Sequence, residues 1–336
     1  MRKSRLPVVL LSAFFFVLLL AGGVRLVTFA QPAARAECVL EVHSGRVLHE
    51  HHSDTPLPNA STTKILTAIL ILDDCRLSDT VTIPAQAAGT EGSSIYLKAG
   101  ETYTVEDLLY GLMLRSGNDA AVALALFHSG SIEAFAQAMN EKAALLGATD
   151  SHFVNPHGLP DKRHRTTARD LARIAAYAMR NEVFRTIVGT KYYAPRDWSN
   201  KNKMLSSYEG ANGVKTGFTT DAGRCLVTSA ARGEMELVCV VLGCPQMYER
   251  TAELLDGAFA SYTMTPLTDR KLLPPGTGVR EEFFYPLRRE ELALIRTEYD
   301  LLQPVPEEKG AVAGTLQIFL ENNLIFSQNL YIMEGK

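Results

Sequence analysis

The sequence has few cysteines, no paired cysteine spacing and no dense block of basic residues. The five cysteines, at positions 38, 75, 225, 239 and 244, are odd in number and lack the spacing of a disulfide framework or a zinc site. We therefore expect them to be small buried hydrophobic residues. Lysine and arginine are dispersed along the chain, and the net charge is −3. This charge pattern argues against a nucleic-acid-binding function.

Long apolar runs are also scarce, and the longest lies at the N-terminus. Basic residues within positions 1–5 precede the run LPVVLLSAFFFVLLLAGG, and Ala34-Arg35-Ala36 follows it. This order is typical of a secretory signal with cleavage after Ala36, so residues 1–36 are predicted to be a signal peptide. Because the run is nearly long enough to span a bilayer, an uncleaved membrane anchor is the alternative. Both interpretations place the rest of the chain outside the cytoplasm.

The remaining chain shows strand and helix patterns in a definite order. Segments 38–42 and 46–50 read as a hairpin, helix patterns fill the middle, and strand patterns return after Gly210. Strands at both ends of residues 37–265 predict an α+β domain, in which helices cover an antiparallel sheet built from the two ends, beside a helical region. Residues 266–336 carry further strand patterns with Asn322-Asn323 as a hairpin turn, so they are predicted to form a small β-rich C-terminal domain.

Polar residues mark the predicted starts of three helices. Asn59 is the expected N-cap of the segment PNASTTKILTAILIL, Thr104 and Asp107 form a predicted capping box, and Asp119 is the expected cap of AAVALALF. The first of these segments contains a single charge, Lys64. A lysine on an apolar helix needs either a route to water or a function, because burying an unpaired charge is energetically costly.

Ser61 and Lys64 stand three residues apart, so a helix places both side chains on one face within hydrogen-bonding reach. A serine hydroxyl becomes a good nucleophile when a base takes its proton. A lysine can be that base only when it is neutral, and burial beside another cation lowers its pKa in this direction. Taken alone, the pair fits equally well a capping serine and a lysine that extends to solvent.

Two further motifs favour the chemical interpretation. Ser116-Gly117-Asn118 occupies a predicted turn between two apolar helices, where a hydroxyl and an amide can face one cleft. Lys215-Thr216-Gly217 interrupts a strand pattern, and its glycine would allow close approach of a ligand backbone. The ordered set of S-x-x-K on a helix, S-G-N on a turn and K-T-G on a strand is much more specific than any of its members.

This ordered set resembles the penicillin-recognising serine acyl-enzymes, and among them the serine-type D-alanyl-D-alanine carboxypeptidases. The resemblance covers about residues 37–262 and includes PLPNASTTK, LMLRSGNDAA, HFVNPHGL and GVKTGFT. The tail resembles the C-terminal β domain of that family. The resemblance implies a D,D-carboxypeptidase that removes the terminal D-alanine from peptidoglycan stem peptides, without a cofactor or a metal, and that penicillins acylate.

The resemblance also implies a role for each matching residue. Ser61 would be the nucleophile, Lys64 its proton acceptor, and Ser116 a proton relay toward the leaving D-alanine. The backbone N–H groups of Ser61 and Phe218 would form the oxyanion hole. The implied substrate-binding residues are Asn118 for the substrate amide, Lys215 and Thr216 for the terminal carboxylate, and Gly217 and Phe218 beside them on the strand.

Three alternatives share these motifs. A β-lactamase of the same fold would be expected to carry an E-x-x-L-N loop, which is absent between Asn118 and Lys215. A D,D-endopeptidase or transpeptidase uses identical motifs, so the exact peptide bond and acceptor stay open. A non-catalytic wall-binding relative would be expected to have lost Ser61 or Lys64, and the sequence retains both.

Other polar residues allow a functional and a structural interpretation. The segment His49-Glu50-His51-His52 could bind a metal, but we interpret it as the exposed end of a hairpin. Arg250 is either a second carboxylate-binding residue or, more simply, a solvated arginine at a helix start. His157 is expected to stabilise its loop, and the basic residues of 161–165 to be solvated in a loop, not to contact an anionic wall. Asn212 replaces an aspartate that is common before G-x-K-T-G, a change not expected to abolish activity.

Overall fold

The computed structural model describes residues 34–333. The predicted signal segment therefore lies outside the described residues except for its last three positions. Ala36, which precedes the predicted cleavage point, is the first residue of a strand and is fully buried. In the described part of the chain, no helix is both long enough and apolar enough to cross a membrane.

Strands occur at both ends of the described chain, with most of the helices between them. The strands are β1 Ala36–Glu41, β2 Val47–His51, β3 Thr80–Thr82, β4 Thr102–Thr104, β5 Tyr192–Tyr193, β6 Trp198–Ser199, β7 Ala211–Thr219, β8 Gly223–Arg232, β9 Met235–Leu242, β10 Thr263–Pro266, β11 Thr277–Gly278, β12 Phe284–Leu287, β13 Ile295–Leu301, β14 Val312–Leu320 and β15 Asn323–Ile332. The α-helices are α1 Lys64–Asp74, α2 Val105–Leu114, α3 Asn118–Ser129, α4 Ile132–Leu145, α5 Ala168–Met179, α6 Glu182–Gly189, α7 Met204–Ser207 and α8 Met247–Ser261. Short 3₁₀ helices span Ala60–Thr63, Ala194–Arg196, Arg270–Leu272 and Arg289–Leu294.

The main sheet is antiparallel and has the strand order β2-β1-β9-β8-β7. Successive side chains of a strand point to opposite faces, and both faces of β9 are covered. Val238 and Val240 enter a core shared with α1 to α5, whereas Cys239 and Val241 enter a second core with α8. This arrangement confirms the predicted α+β domain, and burial on both faces explains why β9 is a continuous apolar run.

The cysteines follow the prediction at four of five positions. All five are free, as expected for residues without paired spacing. Cys38, Cys225, Cys239 and Cys244 are buried in the sheet and its flanking core, whereas Cys75, just after α1, is partly exposed.

Among residues 34–333, strand β7 lies at the edge of the sheet and pairs only with β8. In this pairing Lys215 is opposite Val227 and Gly217 is opposite Cys225. An edge strand leaves the backbone groups on its outer side unpaired within the sheet. The K-T-G sequence therefore has an open backbone edge onto which an extended peptide could pair.

One predicted helix cap is confirmed in part. The Thr104 hydroxyl accepts a hydrogen bond from the Asp107 N–H at 3.1 Å and caps α2. The Asp107 carboxylate does not complete the capping box, because it accepts hydrogen bonds from the Tyr193 hydroxyl and from Arg196.

Of the two other predicted caps, Asn59 occupies the N-cap position of the 3₁₀ helix without a side-chain cap bond, and Asp119 is wrong. The Asn59 side chain caps no helix end but donates to the hydroxyls of Thr62 and Thr63, and a 3₁₀ turn separates it from α1. Asp119 lies inside α3, whose N-cap position is Gly117. Its carboxylate accepts hydrogen bonds from the N–H groups of Ile95 and Leu97, so it fastens a neighbouring loop.

The C-terminal strands form a separate sheet with the order β11-β15-β14-β13. Leu316, Ile318 and Leu330 lie in a core of its own. The hairpin turn is Glu321-Asn322, one residue before the predicted Asn322-Asn323, and Glu321 adopts a positive φ of 57° there. Strand β10 spans the predicted boundary at 265/266 and pairs with β12, so the exact domain boundary stays a prediction.

A buried ion pair ties the first strand to helix α8. The Glu37 side chain is fully buried, and Arg250 binds it in a bidentate manner with N–O distances of 2.7 and 2.8 Å. Burial alone would raise the pKa of Glu37, but Arg250 and then His49 outweigh it and lower the pKa to about 2. Arg250 is therefore a partly exposed member of a structural ion pair, neither simply solvated nor free to bind a substrate carboxylate, which corrects both sequence interpretations.

We expect Glu37→Gln to lower the free energy of unfolding by about 3 kcal/mol, because it removes the buried carboxylate that Arg250 binds in a bidentate manner. Glu253→Gln is the matched control, since Glu253 binds the same guanidinium at 3.1 Å but is 64% exposed, and it should change stability by less than about 1 kcal/mol. Urea denaturation at neutral pH measures both. Equal losses in the two variants would contradict the structural role of the buried pair. In the parent, this stabilisation is complete above pH 4.5 and is lost as the pH falls toward 2.

Candidate active site

Ser61 lies in the 3₁₀ turn Ala60–Thr63, and Lys64 is the first residue of α1. The Lys64 Nζ is 3.0 Å from the Ser61 Oγ. Lys64 is fully buried, although it is among the largest side chains of the core. The predicted pair of nucleophile and base is therefore in direct contact.

The other partners of Lys64 are compatible with a neutral amine. Its Nζ donates to the Asn118 Oδ1 at 2.7 Å and to the backbone carbonyl of His157 at 2.8 Å. Both oxygens can only accept hydrogen bonds, so they use two hydrogens of the amine. A neutral amine has no further hydrogen, and its lone pair then faces the Ser61 hydroxyl. When the amine is neutral, this geometry provides an acceptor for the serine proton.

The charges around Lys64 favour the same neutral state. Burial is the largest cause that lowers the pKa of Lys64 well below its ordinary value, and the charges of Lys215 and Lys201 lower it further. Asp119 opposes this shift. Burial, followed by the charge of Lys201, also lowers the pKa of Lys215 to about 7. The site therefore contains several amines that cannot all be charged at low cost.

Lys201 is a site residue that the sequence analysis missed. Its backbone N–H donates to the carbonyl of Leu114 at 3.2 Å, and its Nζ is 3.4 Å from the Ser93 Oγ. Burial and the charge of Arg115 lower the pKa of Lys201. No spacing in the sequence relates it to the three motifs, because a loop between β6 and α7 brings it to the site.

The S-G-N motif forms the turn between α2 and α3, as predicted. Ser116 is 5% exposed and adopts a positive φ of 65°, which is uncommon for a residue other than glycine. The Asn118 Nδ2 donates to the Glu91 carbonyl at 2.5 Å, and the Asn118 N–H donates to the Ser93 carbonyl at 2.7 Å. The turn is thus fixed to the loop of residues 91–97, and Asn118 contacts Lys64 directly.

The K-T-G strand lies against the turn that carries Ser61. A Cβ atom at Gly217 would be 3.1 Å from the Ser61 backbone nitrogen and 3.1 Å from the Asn59 carbonyl oxygen. Glycine therefore allows close approach of the Ser61 turn, whereas the approach of a ligand backbone stays a prediction. Lys215 is 1% exposed and donates to the Thr216 carbonyl at 2.9 Å, whereas the Phe218 side chain is 67% exposed.

The NPHGL loop supports the other side of the Ser61 turn. A Cβ atom at Gly158 would be only 1.8 Å from the Ala60 carbonyl oxygen. The Thr67 hydroxyl donates to the Pro156 carbonyl at 2.7 Å, which holds the loop along α1. The His157 Nδ1 accepts from the Leu159 N–H at 3.1 Å, and burial lowers the pKa of His157 to about 3. His157 is thus loop-stabilising, as predicted, while its carbonyl serves Lys64.

The remaining polar residues that the sequence singled out make contacts within the protein. His49 pairs with Glu37 at 3.1 Å, and the rings of His51 and His52 contact each other edge to face. The Asn212 Nδ2 donates to the Glu236 Oε1 at 2.8 Å. In the loop of residues 161–165, Asp161 pairs with Arg163, and Arg165 lies 3.6 Å from Asp221.

The sequence profile of the family described as D-alanyl-D-alanine carboxypeptidase matches residues 25–246. The chain belongs to this family. The D-alanyl-D-alanine carboxypeptidase DacF of Bacillus subtilis is 36% identical, over 74% of this chain and 72% of the relative. The D-alanyl-D-alanine carboxypeptidase DacC of Escherichia coli is 33% identical, over 96% of this chain and 90% of the relative.

Solved structures agree with this assignment. Penicillin binding protein 5 from Haemophilus influenzae has a TM-score of 0.75 and 28% identity, with 92% of this chain and 100% of that chain covered. A mutant of Streptomyces K15 DD-transpeptidase has a TM-score of 0.64 and 34% identity, with 69% and 99% covered. These similarities confirm the predicted fold class, the resemblance to penicillin-binding proteins and the assignment as a serine hydrolase of the carboxypeptidase family.

We expect Gly158→Ala to displace the Ser61 turn, because its Cβ would overlap the Ala60 carbonyl oxygen. The rate of acylation by a β-lactam should fall by roughly 100-fold, the effect of misplacing a reacting group by about 1 Å. Gly147→Ala is the matched control, since Gly147 also has a positive φ, of 72°, but no atom within 4 Å of the added Cβ. This variant should keep the acylation rate. Its free energy of unfolding should fall by only roughly 1–2 kcal/mol, the cost of a left-handed backbone conformation for alanine. Similar acylation rates in the two variants would contradict the contact.

Proposed function

We propose that this chain is a serine D,D-carboxypeptidase that removes the terminal D-alanine from peptidoglycan stem peptides through an acyl-enzyme on Ser61. The observation that carries the proposal is the contact of Ser61 with a buried Lys64 whose two other partners are acceptor oxygens. The names of the relatives support the substrate class.

In the acylation step, Lys64 Nζ takes the proton of Ser61 Oγ while the oxygen attacks the carbonyl carbon of the penultimate D-alanine. The C–N bond to the terminal D-alanine then breaks, its nitrogen takes up a proton, and D-alanine leaves. Ser116, in the turn beside Asn118, is proposed to relay that proton. Water next attacks the ester, releases the shortened peptide and restores the Ser61 hydroxyl.

The oxyanion of the tetrahedral intermediate would be bound by the N–H groups of Ser61 and Phe218. The close approach of Gly217 to the Ser61 nitrogen supports this placement, since Phe218 is the next residue of the strand. The open edge of β7 would pair with the extended substrate backbone, with Asn118 bound to the substrate amide. Lys215 and Thr216 would bind the terminal carboxylate, and the charge of Lys201 would strengthen this attraction.

Action on peptidoglycan requires the site to be outside the cytoplasm, in agreement with the cell-wall relatives. We propose that residues 1–36 act as a secretory signal or, when uncleaved, as a membrane anchor. Sequencing the N-terminus of the mature protein separates the two. A start at Glu37 supports cleavage at the predicted position, a start at Met1 supports the anchor, and any other start contradicts the predicted cleavage position.

The acyl group on Ser61 can be transferred either to water or to an amine. The similarity to the Streptomyces K15 DD-transpeptidase favours testing an amine acceptor beside water. With water, the product is the shortened peptide. With glycine present, a transpeptidase would form a new amide between the acyl group and glycine, and mass spectrometry distinguishes the two products.

We expect the purified protein to release D-alanine from a peptide ending in D-Ala-D-Ala, and Ser61→Ala to abolish release because it removes the nucleophile. Incubation with penicillin should add the mass of the drug to the parent but not to Ser61→Ala. Ser207→Ala, an exposed position on α7, should behave as the parent. The proposal fails if the parent releases no D-alanine, or if Ser61→Ala retains the parent rate.

A further inference from the structure

The peptide group before the nucleophile determines the direction of an oxyanion-hole donor. The Ala60 carbonyl and the Ser61 N–H belong to one planar peptide, so the direction of the carbonyl fixes the direction of the N–H. In the proposed function this N–H binds the oxyanion. Any group that holds the Ala60 carbonyl therefore also aims the donor.

This peptide follows a residue in an uncommon backbone conformation. Ala60 has a φ of 49°, a region that alanine adopts only when surrounding contacts impose it. The Thr63 hydroxyl donates to the Ala60 carbonyl at 2.9 Å. Thr63 is fully buried, so this contact is not exchanged with bulk water.

His164 lies behind the turn and contacts Thr63 directly. Its Nε2 is 2.8 Å from the Thr63 Oγ1, and its Nδ1 accepts a hydrogen bond from the Val154 N–H at 3.2 Å. Because a backbone N–H can only donate, the Nδ1 carries no proton. The proton of the neutral ring is therefore on Nε2, and His164 donates to the Thr63 hydroxyl.

The Thr63 hydroxyl then has one arrangement available. It accepts from the His164 Nε2 and from the Asn59 Nδ2, the latter at 3.0 Å. A hydroxyl has two acceptor positions and one hydrogen. With both acceptor positions occupied, its hydrogen is directed to the Ala60 carbonyl.

We propose that His164 is a positioning residue for the oxyanion hole: through the Thr63 hydroxyl it holds the Ala60 carbonyl and so aims the Ser61 N–H. The inference rests on the proposed acyl-enzyme function. His164 is 2% exposed and contacts Thr63 from behind the turn. Its effect should therefore be on the tetrahedral state and not on substrate affinity.

Two substitutions distinguish the roles of the two ring nitrogens of His164. In His164→Asn, the Oδ1 can replace Nδ1 as acceptor for the Val154 N–H, but the shorter side chain does not reach Thr63. In His164→Gln, the Nε2 can replace the ring Nε2 as donor to Thr63. We expect His164→Asn to lower kcat by about 10-fold or more, below the 100- to 1,000-fold effect of deleting an oxyanion donor. His164→Gln should remain within about threefold of the parent, and KM should change little in either variant.

The second measurement is the affinity of a boronic acid peptide, which forms a tetrahedral adduct with Ser61. A merely structural role of His164 would not change this affinity. The boronate affinity should fall with kcat in His164→Asn and be retained in His164→Gln. Thr63→Val should change kcat and boronate affinity as His164→Asn does, and Thr63→Ser should resemble the parent. If a His164 variant does not fold, these two Thr63 variants provide the same test. Combining His164→Asn with Thr63→Val should add little to either change alone, because both break one chain of contacts.

The proposal is overturned if His164→Asn and His164→Gln have equal kcat, if KM and boronate affinity change by the same factor, or if the double variant is additive. Failure of the proposed function has a different signature. In that case the parent itself releases no D-alanine and forms no penicillin adduct on Ser61.

Discussion

The lowered pKa of the buried Lys64 amine is the constraint on which the rest of the site depends. A charged ammonium at a fully buried position would need compensating anions, whereas the three groups in contact with the Lys64 Nζ are all uncharged. The apolar surroundings and the neighbouring lysines both disfavour the charge. The contacts that satisfy the hydrogen bonds of the buried Lys64 amine thus also place a base beside Ser61.

This arrangement requires three separate parts of the fold to meet at one amine. The turn between α2 and α3 supplies the Asn118 oxygen, the NPHGL loop supplies the His157 carbonyl, and the edge strand supplies Lys215. Positive φ angles at Ala60 and Ser116 mark the positions where the chain is held against its local preference. Such strain is common at functional sites, because a rigid surrounding structure can impose it.

The sequence was sufficient for the main architecture and for the three motifs, because apolar periodicity and motif order are local properties. It could not identify Lys201 or the contact of His164 with Thr63, since loops bring these residues to the site from distant positions. Neither the Asn59 nor the Asp119 side chain caps a helix, because other contacts use them. Asn59 donates to hydroxyls of the next turn, such as that of Thr62, and Asp119 accepts from Ile95 in a separate loop. Arg250 was misread because its partner, Glu37, lies more than two hundred residues away.

A titration of the Lys64 amine tests the central claim most directly. Carbon-13 labelling of lysine Cε reports the charge on each amine, and comparison with Lys64→Arg assigns the Lys64 resonance. Burial and the neighbouring lysines predict a titration midpoint well below the ordinary value of 10.5 in the resting enzyme. A midpoint near 10.5 would contradict the role of Lys64 as the base that takes the Ser61 proton.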